Sequence, residues 1–352
     1  MDGNLNPKIA VVGAGAVGSL LGGLLARAGE DVTLIGRRAH VEAIRAGGLR
    51  ITGALGEFTV QVKAAEALDF RPGLVLVAVK TQDVEAACRS IKAYLQQDTP
   101  VVTLQNGVRG DEIAASVLPK ENILSGIVVF NAQFLQPGEV NFARGGALVI
   151  GEAFGPNGQR ARDVQVALNR AVPTTVTDNI RSAHWTKLLI NNLANGLEAM
   201  TGLTVRECLR HPGLRKIGTL ALKEGYSVID RAGIRLAPLP GIPAPVLMLI
   251  IRSPMPVAAQ LLSLSMGSLK TLSSTLQSLR RGRPTEIDYL NGEIVRLGSK
   301  HGLTTPYNTT IVTVVREVEQ SRKFYAPDEL VRCFSAWQPP EAQRPGPTAA
   351  RR

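Results

Sequence analysis

The chain has 352 residues, more than the roughly 100–200 of one ordinary domain, so two domains are expected. Its 45% hydrophobic and 20% charged residues are those of a soluble globular protein with a sizeable core. A net charge of +11 raises nucleic acid and anionic membrane surfaces as partners, but a 4% aromatic content leaves little for base stacking and no nucleic-acid motif accompanies it. Part of the charge sits in Arg280, Arg281 and Arg283 and part in a Pro- and Arg-rich tail. A solvated basic surface that attracts anionic substrates and a phosphorylated cofactor is the preferred reading, without nucleic acid. Cys88, Cys208 and Cys333 are isolated and odd in number, and His40, His184, His211 and His301 show no zinc spacing. Neither a disulfide framework nor a metal site is expected. The polar first residues lack the form of a signal peptide, which together with the cysteines predicts the cytoplasm.

Strand-like runs at 8–12, 31–35, 74–79, 101–104 and 123–129 alternate with helical patterns at 16–28, 83–95 and 111–117. Short, almost wholly apolar strands separated by helices predict a parallel sheet covered on both faces. The stretch 49–62 breaks this rhythm: Gly53 and Gly56 between β-type residues suggest a hairpin in place of a crossover helix. One or two strands follow at 142–150, then a loop at Gly155-Pro156-Asn157-Gly158. Beyond about residue 180 the pattern turns helical, at 180–200, 213–232, 285–301 and 308–323. The expected fold is α/β, an N-terminal doubly wound sheet over 1–178 followed by an all-helical domain over 179–335, with a disordered tail at 336–352.

Between these helices, residues 238–266 are strongly apolar but interrupted by Pro238, Pro240, Pro243, Pro245, Pro254 and Pro256, with Arg252 at the centre. A spanning helix needs about 20 mostly apolar residues, so a membrane span is rejected in favour of a substrate lid or a homodimer contact.

Gly13-Ala14-Gly15-Ala16-Val17-Gly18 matches G-x-G-x-x-G and stands between the first strand and the first helix, which is the context that gives the pattern meaning. Gly13 permits the tight turn, Gly15 lets the backbone approach a pyrophosphate, and Gly18 lets the helix pack closely on the strand. The second strand ends in Ile35-Gly36-Arg37-Arg38, without the acidic residue that would bind both ribose hydroxyls of NAD. Arg37 or Arg38 can instead form a bidentate pair with a 2′-phosphate, which favours NADP(H). Lys80 and Asn106 follow later strand ends, where ligands of such sheets bind. Asn106-Gly107 is also an ordinary turn signal.

In the helix at 180–200, Lys187, Asn191 and Asn195 fall at i, i+4 and i+8 among leucines and isoleucines. A cation and two amides on such a helix suit a polar ligand or, equally, a solvated stripe. Thr285-Glu286-Ile287-Asp288-Tyr289-Leu290-Asn291-Gly292 follows Pro284 as a first helical turn would, where Glu286 could do no more than satisfy the helix dipole.

Taken in order, Gly13 to Gly18, Lys80, Asn106-Gly107, Trp185-x-Lys187-x3-Asn191-x3-Asn195, Ser273-Ser274 and the stretch from Thr285 to Gly292 resemble the ketopantoate reductase (2-dehydropantoate 2-reductase) family over nearly the whole chain. The resemblance implies a Rossmann-type first domain binding NADP(H) through Gly13, Ala14, Gly15, Ala16, Val17, Gly18, Arg37, Lys80 and Asn106. It also implies hydride transfer from NADPH to C2 of ketopantoate, giving pantoate for pantothenate and coenzyme A synthesis. By the same likeness Lys187 is the general acid and Glu286 its catalytic partner. Asn106, Asn191, Asn195 and Ser274 would hold the small-molecule 2-keto acid. Two alternatives accompany this reading: reduction of a bulkier 2-keto acid, suggested by the long apolar segment, and a noncatalytic NADPH-binding sensor.

Overall fold

The computed structural model describes residues 7–241, 244–266 and 272–336; Pro243 and the tail beyond residue 336 lie outside the described residues. The chain divides into two compact units, Met1–Leu188 with Ile234–Leu247, and Leu189–Gly233 with Met248–Arg352. The 178–180 boundary read from the sequence marks the start of a helix, and the division between units falls inside that helix.

The first unit begins β1 (Ile9–Val12), α1 (Ala16–Arg27), β2 (Val32–Ile35), α2 (Arg38–Gly47), β3 (Leu49–Gly53), β4 (Phe58–Val60), β5 (Lys63–Ala65), β6 (Leu74–Val77) and α3 (Val84–Ile91). It continues with β7 (Val101–Thr103), α4 (Gly110–Ala115), β8 (Ile123–Val128), β9 (Asn131–Gln136), β10 (Glu139–Arg144), β11 (Leu148–Glu152), α5 (Gln159–Asn169) and β12 (Thr174–Val176). Eight strands form one sheet in the order β12-β11-β8-β7-β6-β1-β2-β5, parallel except where β11 runs against β8. This is the doubly wound sheet the apolar runs predicted. Its central strands β1, β6, β7 and β8 are buried on both sides, and the alternation of side chains distributes them. Ile9, Val11, Leu74 and Leu76 join the core under α1, α2 and α5, whereas Ala10, Val12, Val75 and Val77 join the core under α3 and α4. Because β2 and β6 flank β1 on opposite sides, the carboxyl end of β1 is the switch point at which ligands of such sheets bind.

The hairpin at 49–60 is present, as antiparallel β3 and β4, with Gly53 at φ +106° and Gly56 at φ +83°. It does not replace a crossover helix. Helix α2 makes the crossover to β5, and the hairpin is an addition that pairs with β10 and β9 in a second sheet of order β4-β3-β10-β9.

The second unit takes up α6 (Ile180–Thr201) from Leu189 onward and continues with α7 (Val205–Arg210) and α8 (Pro212–Arg231). Then come α9 (Ala244–Arg252), α10 (Met255–Met266), α11 (Ser274–Arg280), α12 (Asn291–Lys300), α13 (Pro306–Ser321) and α14 (Pro327–Ala336). Helix α8 is the hub, packed against α7, α10, α12, α13 and α14. The proline-broken apolar segment resolves into α9 and α10, with Pro256 in the first turn of α10. The Lys223 ammonium donates to the carbonyls of Ile251 (2.5 Å) and Ser253 (2.7 Å), closing the end of α9. No described helix is long and apolar enough to cross a membrane.

Candidate functional site

In the first unit the glycine loop is shaped by what it cannot accommodate. A Cβ on Gly13, at φ +102°, would lie 2.6 Å from the Val79 nitrogen and 2.8 Å from the Ala78 carbonyl carbon. A Cβ on Gly18 would lie 2.2 Å from the Gly13 oxygen and 3.1 Å from side chains of Ala78 and Val11, so α1 can seat on β1 and β6 only with glycine there. Gly15 differs: a Cβ there would meet no heavy atom within 4 Å among the described residues, and the residue is exposed. Gly15 is the N-cap of α1, without a side-chain cap and without an acidic residue in the first turn. The amides that open α1 are therefore presented toward open space beside a bare backbone, and this cradle fits the pyrophosphate of a dinucleotide.

Arg37 and Arg38 follow β2, and the structure separates them. Arg38 is the first residue of α2 and pairs with Glu42 at 2.7 Å, one turn along the helix. Arg37 is the exposed N-cap of α2.

Two loops at the carboxyl end of the sheet, after β6 and after β7, are tied to each other. The buried Gln105 donates through Nε2 to the carbonyls of Val77 (2.8 Å) and Val79 (3.1 Å), and Thr81 Oγ1 donates to the Asn106 carbonyl at 3.1 Å. Lys80 immediately precedes Thr81, half-buried. The first two turns of α6 come down on this loop. Lys187 Nζ donates to Asn106 Oδ1 at 2.8 Å, so two residues that stand 81 apart in the chain meet. One turn earlier His184 is buried, with Nε2 2.6 Å from Ser125 Oγ of β8. Burial pushes its pKa down; Asp111 opposes this, Lys187 reinforces it, and a hydrogen bond to the Gly107 backbone again opposes it. The histidine was assigned no role from the sequence. A single histidine on an apolar helix carries no spacing signal, and its partner Ser125 lies 59 residues away.

In the second unit Asn195 is buried and its carboxamide is engaged. Oδ1 accepts from Thr275 Oγ1 at 2.8 Å and Thr275 N at 3.4 Å, with Ser274 Oγ at the outer limit of 3.5 Å. Nδ2 donates to the Asn191 carbonyl at 2.8 Å. Asn195 thus brings Asn191, Ser274 and Thr275 together at the start of α11. Ser274 itself is exposed and Asn191 half-buried. Close by, the buried Glu198 accepts from the amides of Ser273 (2.6 Å) and Val205 (2.8 Å). Burial pushes this carboxyl up from the ordinary range, against the pull of those hydrogen bonds and of Arg280.

Glu286 is not in the first turn of an α-helix, as Pro284 had suggested. It is the N-cap of a single 3-10 turn, Ile287–Tyr289, and α12 opens only at Asn291. The Thr285 amide is taken by Glu319 Oε1 at 2.5 Å, and the Thr285 hydroxyl accepts from Ile287 N at 3.2 Å. The backbone of Leu290 (φ −113°, ψ −100°) separates this turn from α12. No group of three or more His, Cys, Asp or Glu that could hold a metal occurs among the described residues.

Comparison with known proteins gives consistent results across both units. Residues 9–155 match the model of ketopantoate reductase PanE/ApbA, and residues 179–319 match that of its C-terminal part. The chain is 32% identical over 314 residues to a 2-dehydropantoate 2-reductase of Pyrococcus horikoshii, covering 89% of this chain and 97% of the relative. Among solved structures it resembles a PanE/ApbA family ketopantoate reductase from Ralstonia eutropha JMP134, with a TM-score of 0.75, 32% identity and coverage of 89% and 99% of the two chains. It also resembles a D-mandelate dehydrogenase solved with NADH and anilino(oxo)acetate, with a TM-score of 0.77, 25% identity and coverage of 89% and 98%. With a doubly wound sheet carrying a glycine loop, a helical unit that begins inside α6, and family matches over residues 9–155 and 179–319, the chain belongs to the ketopantoate reductase PanE/ApbA family.

Proposed function

We propose that the chain reduces 2-dehydropantoate to pantoate with NADPH, a step of pantothenate and coenzyme A synthesis. The observation that carries this reading is the ammonium of Lys187 held 2.8 Å from Asn106 Oδ1, beside the strand ends that also carry the glycine loop. When bound, NADPH supplies the hydride that C2 of the keto acid accepts. The residues do the rest. Gly13, Ala14, Gly15, Ala16, Val17 and Gly18 hold the pyrophosphate by backbone amides. Lys80 and Asn106 line the nicotinamide end. Lys187 donates a proton to the oxygen on C2 as the carbonyl becomes an alcohol, and its charge stabilises the developing alkoxide beforehand. Asn106, Asn191, Asn195 and Ser274 position the keto acid, Asn195 by fixing Ser274, and Glu286 takes the distal hydroxyl.

The choice of NADP(H) rests on Arg37. Arg38 is already paired with Glu42, which leaves the Arg37 guanidinium at the end of β2 for a 2′-phosphate. That the mandelate dehydrogenase neighbour was solved with NADH makes this the part to test.

The same neighbour supports a second reading, in which the mechanism stands and the acid is bulkier or aromatic. A noncatalytic sensor is disfavoured by the presence of both Lys187 and Glu286. The experiment is a comparison of kcat/KM for 2-dehydropantoate and phenylglyoxylate, each with NADPH and with NADH. The proposal expects 2-dehydropantoate with NADPH to lead by at least about tenfold, a difference of 1.4 kcal/mol in transition-state binding. A lead for phenylglyoxylate would move the assignment to the second reading, and turnover of neither acid would favour the sensor.

A further inference from the structure

His184 has no part in the mechanism above, yet it is buried near the start of α6, one turn before Lys187. Its Nε2 lies 2.6 Å from Ser125 Oγ of β8. Two facing charges act on the ring in opposite ways. Asp111, from the first turn of α4, favours the cation, and Lys187, one turn further along α6, disfavours it, with burial on the side of Lys187. Asp111 is itself held by the Thr103 hydroxyl at 2.5 Å.

The geometry points to His184 as a positioning residue for the proton-donating pair Lys187 and Asn106. Two residues one turn apart on α6 are bonded to two neighbouring parts of the sheet: Lys187 takes the Asn106 side chain on the loop after β7, and His184 takes the buried Ser125 of β8. Lys187 alone is a flexible tether on a long stem. The planar imidazole, held by a strand residue, fixes the height of the helix against the sheet. Gly107 stands at φ +92°, so the peptide that follows Asn106 is turned in a way that local chain preference does not hold for a side-chain-bearing residue. Among the described residues the loop is tied on its far side through Gln105 to β6 and Thr81 to the Asn106 carbonyl. With α6 held by Ser125, Lys187 meets Asn106 Oδ1. A neutral side chain is required there, because a second cation one turn from Lys187 would weaken its ammonium. This inference rests on reading Lys187 as the proton donor.

The test replaces His184 by Leu, which keeps the bulk and removes the hydrogen bond to Ser125, and by Gln, which keeps one donor and one acceptor. The keto acid reductase reaction with NADPH is followed, with Lys187→Ala assayed in parallel. The Leu variant is expected to lose about 10- to 100-fold in kcat, the scale of a small misplacement of a reacting group, while the KM for NADPH stays within about twofold. The Gln variant is expected to recover most of that loss. A Leu variant with kcat within about twofold of the parent overturns the proposal, and so does a Gln variant as slow as the Leu one, because a packing role would be indifferent to hydrogen bonding. If the Leu variant fails to fold, Ser125→Ala decides: a fall in kcat of about 3- to 10-fold at unchanged NADPH KM is expected, and parental kcat overturns the proposal. A Lys187→Ala variant that turns over like the parent defeats the reading of Lys187 and the proposal with it. A dead Lys187→Ala beside a parental His184→Leu defeats the positioning role alone.

Discussion

The glycine loop after β1 and the first two turns of α6 meet residues at the same end of the sheet and are built in opposite ways. The loop is made by leaving side chains out. Gly13 and Gly18 are forced by atoms 2.2–2.8 Å from where a Cβ would stand, and Gly15 leaves open space. The start of α6 is made by putting polar side chains in, with His184 bonded to Ser125 and Lys187 to Asn106. A site made from backbone is rigid because its neighbours admit no alternative. A site made from side chains is rigid only while each hydrogen bond is kept.

The sharpest way to break this contrast is within the glycine loop. Gly13→Ala is expected to cost about 2–4 kcal/mol of stability, from the clash with Val79 together with the positive φ, and to abolish cofactor binding. Gly15→Ala is expected to leave the thermal midpoint unchanged and still raise the NADPH Kd by about 10- to 100-fold, the worth of one or two hydrogen bonds to a charged group. Calorimetry and fluorescence titration on the pair check this. Equal loss of stability in both would show that Gly15 is structural too.

A smaller effect is expected at the end of β2. Arg37→Ala should raise the KM for NADPH by about tenfold or more and leave that for NADH within twofold, whereas Arg38→Ala, which breaks a surface pair with Glu42, should change either little. Steady-state kinetics with both cofactors reads the difference. A parallel rise for NADPH and NADH in Arg37→Ala would remove the arginine from the 2′-phosphate.

How far the sequence carried the account follows the same division. The loop was legible because its three glycines keep a fixed spacing between a strand and a helix, although the atoms that exclude a side chain at Gly13 belong to Ala78 and Val79, far along the chain. The β3–β4 hairpin was legible from Gly53 and Gly56, but its place in a second sheet was not, since β3 pairs with β10 about ninety residues later. Helix α2 was missed because Arg37, Arg38, Arg45 and the small residues around them blur its apolar face, of which only His40, Val41 and Ile44 are buried. The helical start read at Thr285 was placed too early because the backbone turns at Leu290 after a single 3-10 turn, and nothing in the local pattern marks that break. Lys187 was singled out by spacing and likeness, while His184 needed Ser125 brought to it by the fold.

The smallest expected effect is on pH. His40 is buried with Nε2 2.9 Å from Ser19 Oγ and with Nδ1 accepting the Gly138 amide at 2.9 Å, and burial lowers its pKa, as it does that of His184. Both pKa values are lower in the folded state than the ordinary 6.5, so the unfolded chain binds these protons first. Their contribution to stability is complete above about pH 6.5 and is lost as the pH falls below it, by at most about 1.4 kcal/mol per pH unit for each ring. Glu198 and Glu224, pushed up by burial, act with the opposite sign, so the histidine part is read as a difference between proteins. Urea unfolding at pH 5.5 and 7.5 should show a smaller change in His40→Gln than in the parent. Equal changes would mean that His40 is not held neutral by its two partners.

The central claim is that the side chains at the start of α6 perform the chemistry while the glycine loop only holds the cofactor. The kcat of Lys187→Ala with 2-dehydropantoate, measured beside its NADPH Kd, tests this most directly. The account predicts a fall in kcat of about 100- to 10,000-fold, the range for a positioned general acid, with the Kd within about twofold of the parent. A variant that keeps kcat within threefold, or that loses activity only in step with NADPH binding, would contradict it.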